Sequence, residues 1–340
     1  MNAREIERLR GPILRSVSRS FYLSLRVLPR PLRDPLSLAY LLARATDTIA
    51  DTPEPPAELR AEALRNLAGA IQGEAPAETA ANIRNSFAPL QSDEAERALI
   101  DALPAALEWL ELLDDPDRRE VREVLKRINK GQRLDLERFG AGAGIQSLTT
   151  AADLDEYTYL VAGCVGEFWT RICFAHVQNF SARTESEMLA LGVQYGKGLQ
   201  LINILRDMGL DLRAGRCYLP VDELHSLGVT PENILGHPAR AEPIIRRWCE
   251  KAESGLEAGI EYACAIRSRR IRFATALPAL IGTRTLSLMR GVGGEVFERT
   301  VKVSRAEVKK IMGSIAVRLA SPRVLRETFL QYRQRKSSGR

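Results

Sequence analysis

The run QYGKGLQLINILRDMGLDLRAGRCYLP, residues 194–220, most narrows what this chain can become. Leu199, Ile202, Leu205, Met208 and Leu212 recur at spacings of three and four, which predicts a helix with one apolar face. Gln200, Asn203, Asp207 and Asp211 share the same spacings and line up along a second, polar edge. Two carboxylates one turn apart lie roughly 6 Å from each other along the axis and repel. That spacing suits a bridging divalent cation. Arg206 sits beside them and Arg216 follows Gly215, so groups suited to metal and to phosphate occur within one short stretch.

The same device occurs upstream in DPLSLAYLLARATDTIADT, residues 34–52. Leu38, Leu41, Leu42, Ala45 and Ile49 make the apolar stripe, while Tyr40, Arg44, Asp47 and Asp51 occupy one continuing face. One such pair alone is more often an ordinary solvated helix face. Two pairs, each on an otherwise apolar helix and each with an arginine, predict two helices facing across a cavity and holding Mg2+ between carboxylates and a substrate diphosphate.

The 340 residues are 45% hydrophobic, enough for a large core in one big domain or two. A formal charge of +6 suits anionic substrates or an anionic membrane surface and is too diffuse for nucleic acid. The cysteines, Cys164, Cys173, Cys217, Cys249 and Cys264, show no paired spacing, which predicts reduced thiols and a cytoplasmic location. The N-terminus has no apolar signal core, and uncharged runs such as Phe273 to Thr283 are too short to span a membrane.

The chain reads as helical almost throughout, with no strand pattern. Helices are expected over 3–26, from after Pro35 to Thr52, over 57–72, over 92–113 and from Pro116 to about Phe139. The glycine-rich run at 140–144 follows a helix rather than a strand and reads as a linker. In the next helix, 153–181, Ala162, Gly163 and Gly166 leave room for a second helix or for an apolar ligand. Thr184 with Glu187 and Ser304 with Glu307 read as capping boxes, and Thr230 before Pro231 as a helix start. Further helices are expected over 239–268, over 273–289 with a kink at Pro278, and from Pro322 into a basic tail that offers weak peripheral contact with anionic lipid.

With these residues in view, SRSF at 18–21, DTIAD at 47–51, YTYLVAGCVG at 157–166 and QLINILRDMGLD with GRCYLP at 200–220 resemble the squalene and phytoene synthase family, in its order and at its separations. The stretch from Ala276 to Leu286 is more similar to squalene synthases. The resemblance implies an all-α, single-domain isoprenoid synthase fold with helices around a central apolar cavity, its core about 10–295 and its C-terminal helices in 300–336. It implies joining two farnesyl diphosphates head to head to presqualene diphosphate and reducing that with NADPH to squalene. The alternatives are phytoene, dehydrosqualene or hydroxysqualene synthesis, or a non-catalytic assembly relative. By resemblance, Asp47, Asp51, Asp207 and Asp211 hold Mg2+. Arg44, Gln200, Asn203, Arg206 and Arg216 contact diphosphate or metal, Tyr157 lies near the leaving group, and Ser18, Ser20 and Phe21 contribute to the cavity. NADPH enters through the resemblance alone. The family pattern often carries a Glu before the second Asp of each motif, where this chain has Ala50 and Leu210.

Overall fold

The structure is a computed structural model and describes residues 1–18, 21–140, 144–298, 300–318 and 321–334. The chain forms two compact units: Met1–Gly140 with Arg171–Gln178, and Ala141–Thr170 with Asn179–Arg340.

In the first unit the helices are α1 Ala3–Arg8, α2 Leu14–Ser18, α3 Phe21–Arg26, α4 Arg30–Asp51, α5 Ala57–Gln72, α6 Thr79–Phe87, α7 Glu94–Asp101, α8 Leu103–Glu111 and α9 Asp115–Phe139. The expected continuous helix over 3–26 is interrupted. Pro12 has no N–H to give, and the ladder widens to a π-helix over Leu9–Ile13. The expected helix over 92–113 divides at Ala102, because Pro104, in the first turn of α8, has no N–H to continue the ladder from α7. Conversely, α4 starts earlier than its prolines suggest, with Pro29 as cap, Pro31 in the first turn and Pro35 inside. Pro31 forfeits only an N–H that lacks a helical partner, whereas Pro35, the sixth residue, forfeits one bond of the ladder. Leu38, Leu41, Leu42, Ala45 and Ile49 are all buried, as their spacing predicts. Each such leucine or isoleucine contributes about 1.5–3 kcal/mol relative to exposure. The α9 helix, capped by Asp114 through the Asp117 amide at 3.1 Å, lies along α4 and α5 and buries Val121, Val124, Leu125 and Ile128.

The second unit contains α10 Ala151–Thr158, the N-terminal part of α11 Cys164–His176, α12 Glu185–Arg213, α13 Val221–Ser226, α14 Pro238–Ala265, α15 Arg269–Val292, α16 Arg305–Arg318 and α17 Pro322–Gln334. Residues Tyr159–Gly163 form a second π-helix between α10 and α11, and α11 stops at His176, short of the expected 181. The glycine-rich linker expected at 140–144 and the basic tail fall partly outside the described residues, at 141–143 and 335–340. The expectation of no strands needs one correction. Gln146–Ser147 (β1) pairs in parallel with Arg216–Cys217 (β2), a two-rung ladder too short to leave a sequence pattern.

The capping box at Thr184 forms in full, with both reciprocal bonds to Glu187. At Ser304 the Glu307 amide donates to Ser304 Oγ at 3.2 Å, and the Glu307 carboxylate accepts from Arg284 Nε at 2.7 Å. No helix follows Thr230. The Asn233 side chain accepts from the Thr230 amide at 2.9 Å, and the chain turns through a short 3-10 segment, Ile234–Gly236, before Pro238. Too few residues lie between Pro231 and Pro238 to repay helix nucleation. Among the described residues no helix is long and apolar enough to cross a membrane.

The α12 helix is the centre of this unit, and small residues let it approach its neighbours closely. A Cβ built on Gly166 would stand 2.0 Å from the Gly192 carbonyl oxygen, and one on Gly196 would stand 2.2 Å from that of Ala162. The small residues singled out in the sequence therefore serve helix packing. On another side Gly198 meets Gly255 of α14, where a Cβ would lie 2.7 Å from the facing Cα. Gly198→Ala is expected to destabilise the protein by about 1–3 kcal/mol through overpacking. Thermal unfolding followed by circular dichroism checks this, and an unchanged midpoint would contradict the packing described.

Candidate functional site

The first acidic pair sits on α4. Arg44 and Asp47 are half-buried and Asp51 is exposed at the last turn. Asp47 Oδ1 accepts a hydrogen bond from Gln132 Nε2 of α9 at 2.5 Å. Burial pushes the Asp47 carboxyl up to about 6 against the opposing pull of the Gln132 hydrogen bond and the Arg44 charge. Arg44 is engaged by Glu96 of α7, and the same carboxylate accepts from the buried Thr48 hydroxyl. One acidic side chain therefore fixes two neighbours of Asp47. Burial works against the charged form of Arg44, yet the Glu96 contact holds its pKa above the ordinary guanidinium value.

The expected contributions from the chain's start are mixed. Ser18 is buried, and its hydroxyl donates to the Leu14 carbonyl of its own helix. The Phe21 ring lies 5.2 Å from that of Tyr40, centroid to centroid, against the polar face of α4. Tyr40 in turn donates to the Val17 carbonyl at 3.3 Å. Ser20 lies outside the described residues.

The second acidic pair sits on α12 and is neutralised differently. Asp207 accepts from Arg206 Nε at 3.0 Å and from a second guanidinium nitrogen of the same residue. Asp211 accepts from Arg216 at 2.8 Å. Arg216 is brought there by local backbone. Gly215 adopts φ of +80°, a value that favours glycine, and turns the chain after α12 into β2. Pairing with β1 and the bond from Ser147 Oγ to the Leu219 carbonyl, 2.8 Å, hold that strand. Gln200 and Asn203 occupy the expected edge, with Asn203 Nδ2 3.4 Å from Gln200 Oε1. Behind this edge, Gly209 packs on the Phe297 backbone.

Tyr157 is 9% exposed and stacks on Tyr218 of the GRCYLP stretch, with centroids 5.1 Å apart and planes at 27°. Two residues before it, Asp155 pairs with Lys197 of α12 at 2.5 Å and with Lys251 of α14 at 3.2 Å. Sequence reading overlooked Gln132, Glu96, Thr48, Tyr218 and Lys197. The visible signal was slight: Gln132 follows Gly131 in KGQRLD, and Tyr218 lies inside a motif already singled out.

All four candidate metal-binding residues are carboxylates, hard oxygen donors that suit Mg2+ and not a thiolate- or imidazole-seeking ion. Among the described residues no group of three or more His, Cys, Asp or Glu is gathered as a metal site. A sparse protein contribution suits Mg2+, which keeps waters and takes phosphate oxygens.

The sequence was compared with known proteins. Residues 14–307 match the family described as Squalene/phytoene synthase. A bifunctional lycopene cyclase/phytoene synthase of Phaeosphaeria nodorum is 30% identical over 305 residues, 87% of this chain and 47% of that protein. The chain thus spans about half the length of the curated relatives it matches. The solved structure of TcSQS with the ligand BPH1237 superposes with a TM-score of 0.77 at 19% identity, over 99% of this chain and 94% of that one. Squalene synthase HpnC from Alicyclobacillus acidocaldarius gives 0.58 at 20% identity, over 85% and 94%. These likenesses define the fold as that of the isoprenoid synthases. The chain belongs to the squalene/phytoene synthase family, whose members are prenyltransferases.

A test of the α10 to α12 contact concerns Asp155. Partial burial works against its charged form, but hydrogen bonds and charge from Lys197 and Lys251 hold the carboxyl below the ordinary 3.8. The lysine contacts therefore stabilise the fold above that value and fade as pH falls through the lowered one. Asp155→Asn is expected to lower the unfolding midpoint at neutral pH, with the gap to wild type closing below about pH 4. A gap of equal size at acid pH would contradict the ion pairing.

Proposed function

We propose that this chain is a Mg2+-dependent head-to-head prenyl synthase, joining two farnesyl diphosphates to presqualene diphosphate and yielding squalene after reduction with NADPH. What carries the reading is the recurrence, in a chain of this family, of one device on two helices: aspartates four apart with an arginine close by, on α4 and on α12. Both acidic sets serve the same reaction. Asp47, Asp51, Asp207 and Asp211 would hold the cations, and bound Mg2+ supplies Lewis-acid charge to the departing diphosphate.

The chain's own groups do the rest. Arg206 on α12, Arg216 after it and Arg44 on α4 are already oriented by carboxylates, and a phosphate oxygen reaching either set exchanges one oxyanion partner for another. Tyr157, packed flat on Tyr218, offers its hydroxyl to the leaving group. A phenol with an ordinary pKa of about 10 donates a hydrogen bond readily and is a poor base. Apolar helix faces keep water from the allylic cation until the second alkene traps it. The described residues do not fit a dinucleotide site of the usual strand, glycine turn and helix type, since their strands are two residues long. Cytoplasmic residence with peripheral contact at the membrane surface accords with a hydrocarbon product.

The second reading is phytoene synthesis from geranylgeranyl diphosphate, favoured by the names of curated relatives such as the Phaeosphaeria nodorum protein. Incubation with each diphosphate and Mg2+, with and without NADPH, separates the readings. Squalene formed only with NADPH supports the first. Phytoene from geranylgeranyl diphosphate supports the second, an NADPH-independent alcohol or dehydrosqualene points to the other family products, and no product sinks the enzymatic reading.

Asp47→Ala and Asp207→Ala are each expected to abolish turnover, by at least about a hundredfold, with helix content unchanged by circular dichroism. Chelation should remove activity and added Mg2+ restore it. Full turnover in either variant or in excess chelator contradicts the metal assignment.

A further inference from the structure

Gln132 has no part in the family's acidic motifs, yet its place in the structure is unusual. The side chain is 7% exposed on α9, among residues that form the core between α9 and α4. Its amide nitrogen donates to Asp47 Oδ1 at 2.5 Å, and its amide oxygen is buried with no hydrogen-bond partner among the described residues. The reverse orientation of the amide would set its oxygen against the carboxylate, so the donor toward Asp47 is fixed by chemistry. A buried acceptor left unsatisfied destabilises a fold, and a methionine of similar volume would avoid that. Stability alone therefore does not call for glutamine here. Polar residues that break a local packing rule concentrate where function requires them.

We propose that Gln132 is a positioning residue for the metal site: its N–H fixes the orientation of the Asp47 carboxylate so that the free oxygen is presented to a divalent cation. The inference rests on the reading of Asp47 as a metal ligand. A neutral donor suits the task. It orients the carboxylate while leaving its negative charge for the cation, whereas an arginine or lysine at this place would compete with the metal. Thr48 and Arg44, on either side of Asp47, are held in turn by Glu96 of α7, so the polar face of α4 is fixed from two neighbouring helices. Partners of metal ligands commonly change affinity by about 10–100-fold when removed.

The test is binding of Mn2+ in the presence of inorganic pyrophosphate, followed by the loss of the free-ion paramagnetic resonance signal. The proteins are wild type, Gln132→Met, Gln132→Leu, Asp47→Asn and the double variant Asp47→Asn with Gln132→Met, with unfolding midpoints measured alongside. The expected result is an affinity weakened about tenfold in Gln132→Met, with a midpoint equal to or above wild type, and no further weakening by Gln132→Met in the Asp47→Asn background. Gln132→Leu serves the same comparison if the methionine variant does not fold. Unchanged Mn2+ affinity in the Gln132 variants, with Asp47→Asn weakened, overturns the inference and leaves the metal reading intact. A lowered midpoint with unchanged affinity assigns Gln132 to packing and also overturns it. Unchanged affinity in Asp47→Asn overturns the metal reading beneath both.

Discussion

A half-buried carboxylate on an otherwise apolar helix must find hydrogen-bond donors or positive charge, and the two acidic helices of this protein meet that demand in different ways. On α12 the answer is guanidinium: Arg206 for Asp207 and Arg216 for Asp211. On α4 the nearest guanidinium, Arg44, is spoken for by Glu96, and Asp47 receives a neutral amide. The consequence is electrostatic. Asp47 is raised to about 6 by burial, because a hydrogen bond offsets only part of the desolvation of a charge. Such a carboxylate gains most from a cation arriving from solution. The α12 pair has guanidinium partners already in place.

Both arrangements depend on helices held in fixed rotation about their axes. In the second unit that is done by near contact of backbones. The Gly166 to Gly192 and Gly198 to Gly255 approaches leave no side chain between the helices, so α12 cannot roll without collision. Around this centre the later helices are joined by partly buried ion pairs: Glu253 with Arg290 and Arg333, and Arg284 with Glu307. Charged groups so placed add little net stability, but each penalises any arrangement that leaves it unpaired.

The helices and both acidic faces were legible in the sequence because they depend on local periodicity, which survives in the linear order of residues. Asp47, Asp51, Asp207 and Asp211 share their helix edges as the spacing requires. What was hidden depends on residues far apart in the chain. Gln132 is 85 positions from Asp47, and Glu96 is 52 from Arg44, so no window of sequence displays either bond. The π-helix over Tyr159–Gly163 was equally invisible, since widening one turn leaves the apolar pattern on both sides in place. The Thr230-Pro231 signal misled for the opposite reason. Its local chemistry is that of a helix start, and Pro238 leaves no length for the helix to grow. The small residues around Gly163 are ambiguous between ligand and helix in the sequence, and the structure packs Gly192 and Gly196 of α12 against Gly166 and Ala162.

The short ladder of β1 and β2 has a consequence out of proportion to its size. Its register sets Gln146 opposite Arg216 and Ser147 opposite Cys217, and strand side chains alternate between faces. Loss of these two rungs would loosen the strand that carries the Arg216 guanidinium to Asp211. Chain length is thus constrained at an unexpected place. An insertion between Gln146 and Leu148 would break the two rungs and the Ser147 bond to the Leu219 carbonyl that hold the strand carrying Arg216.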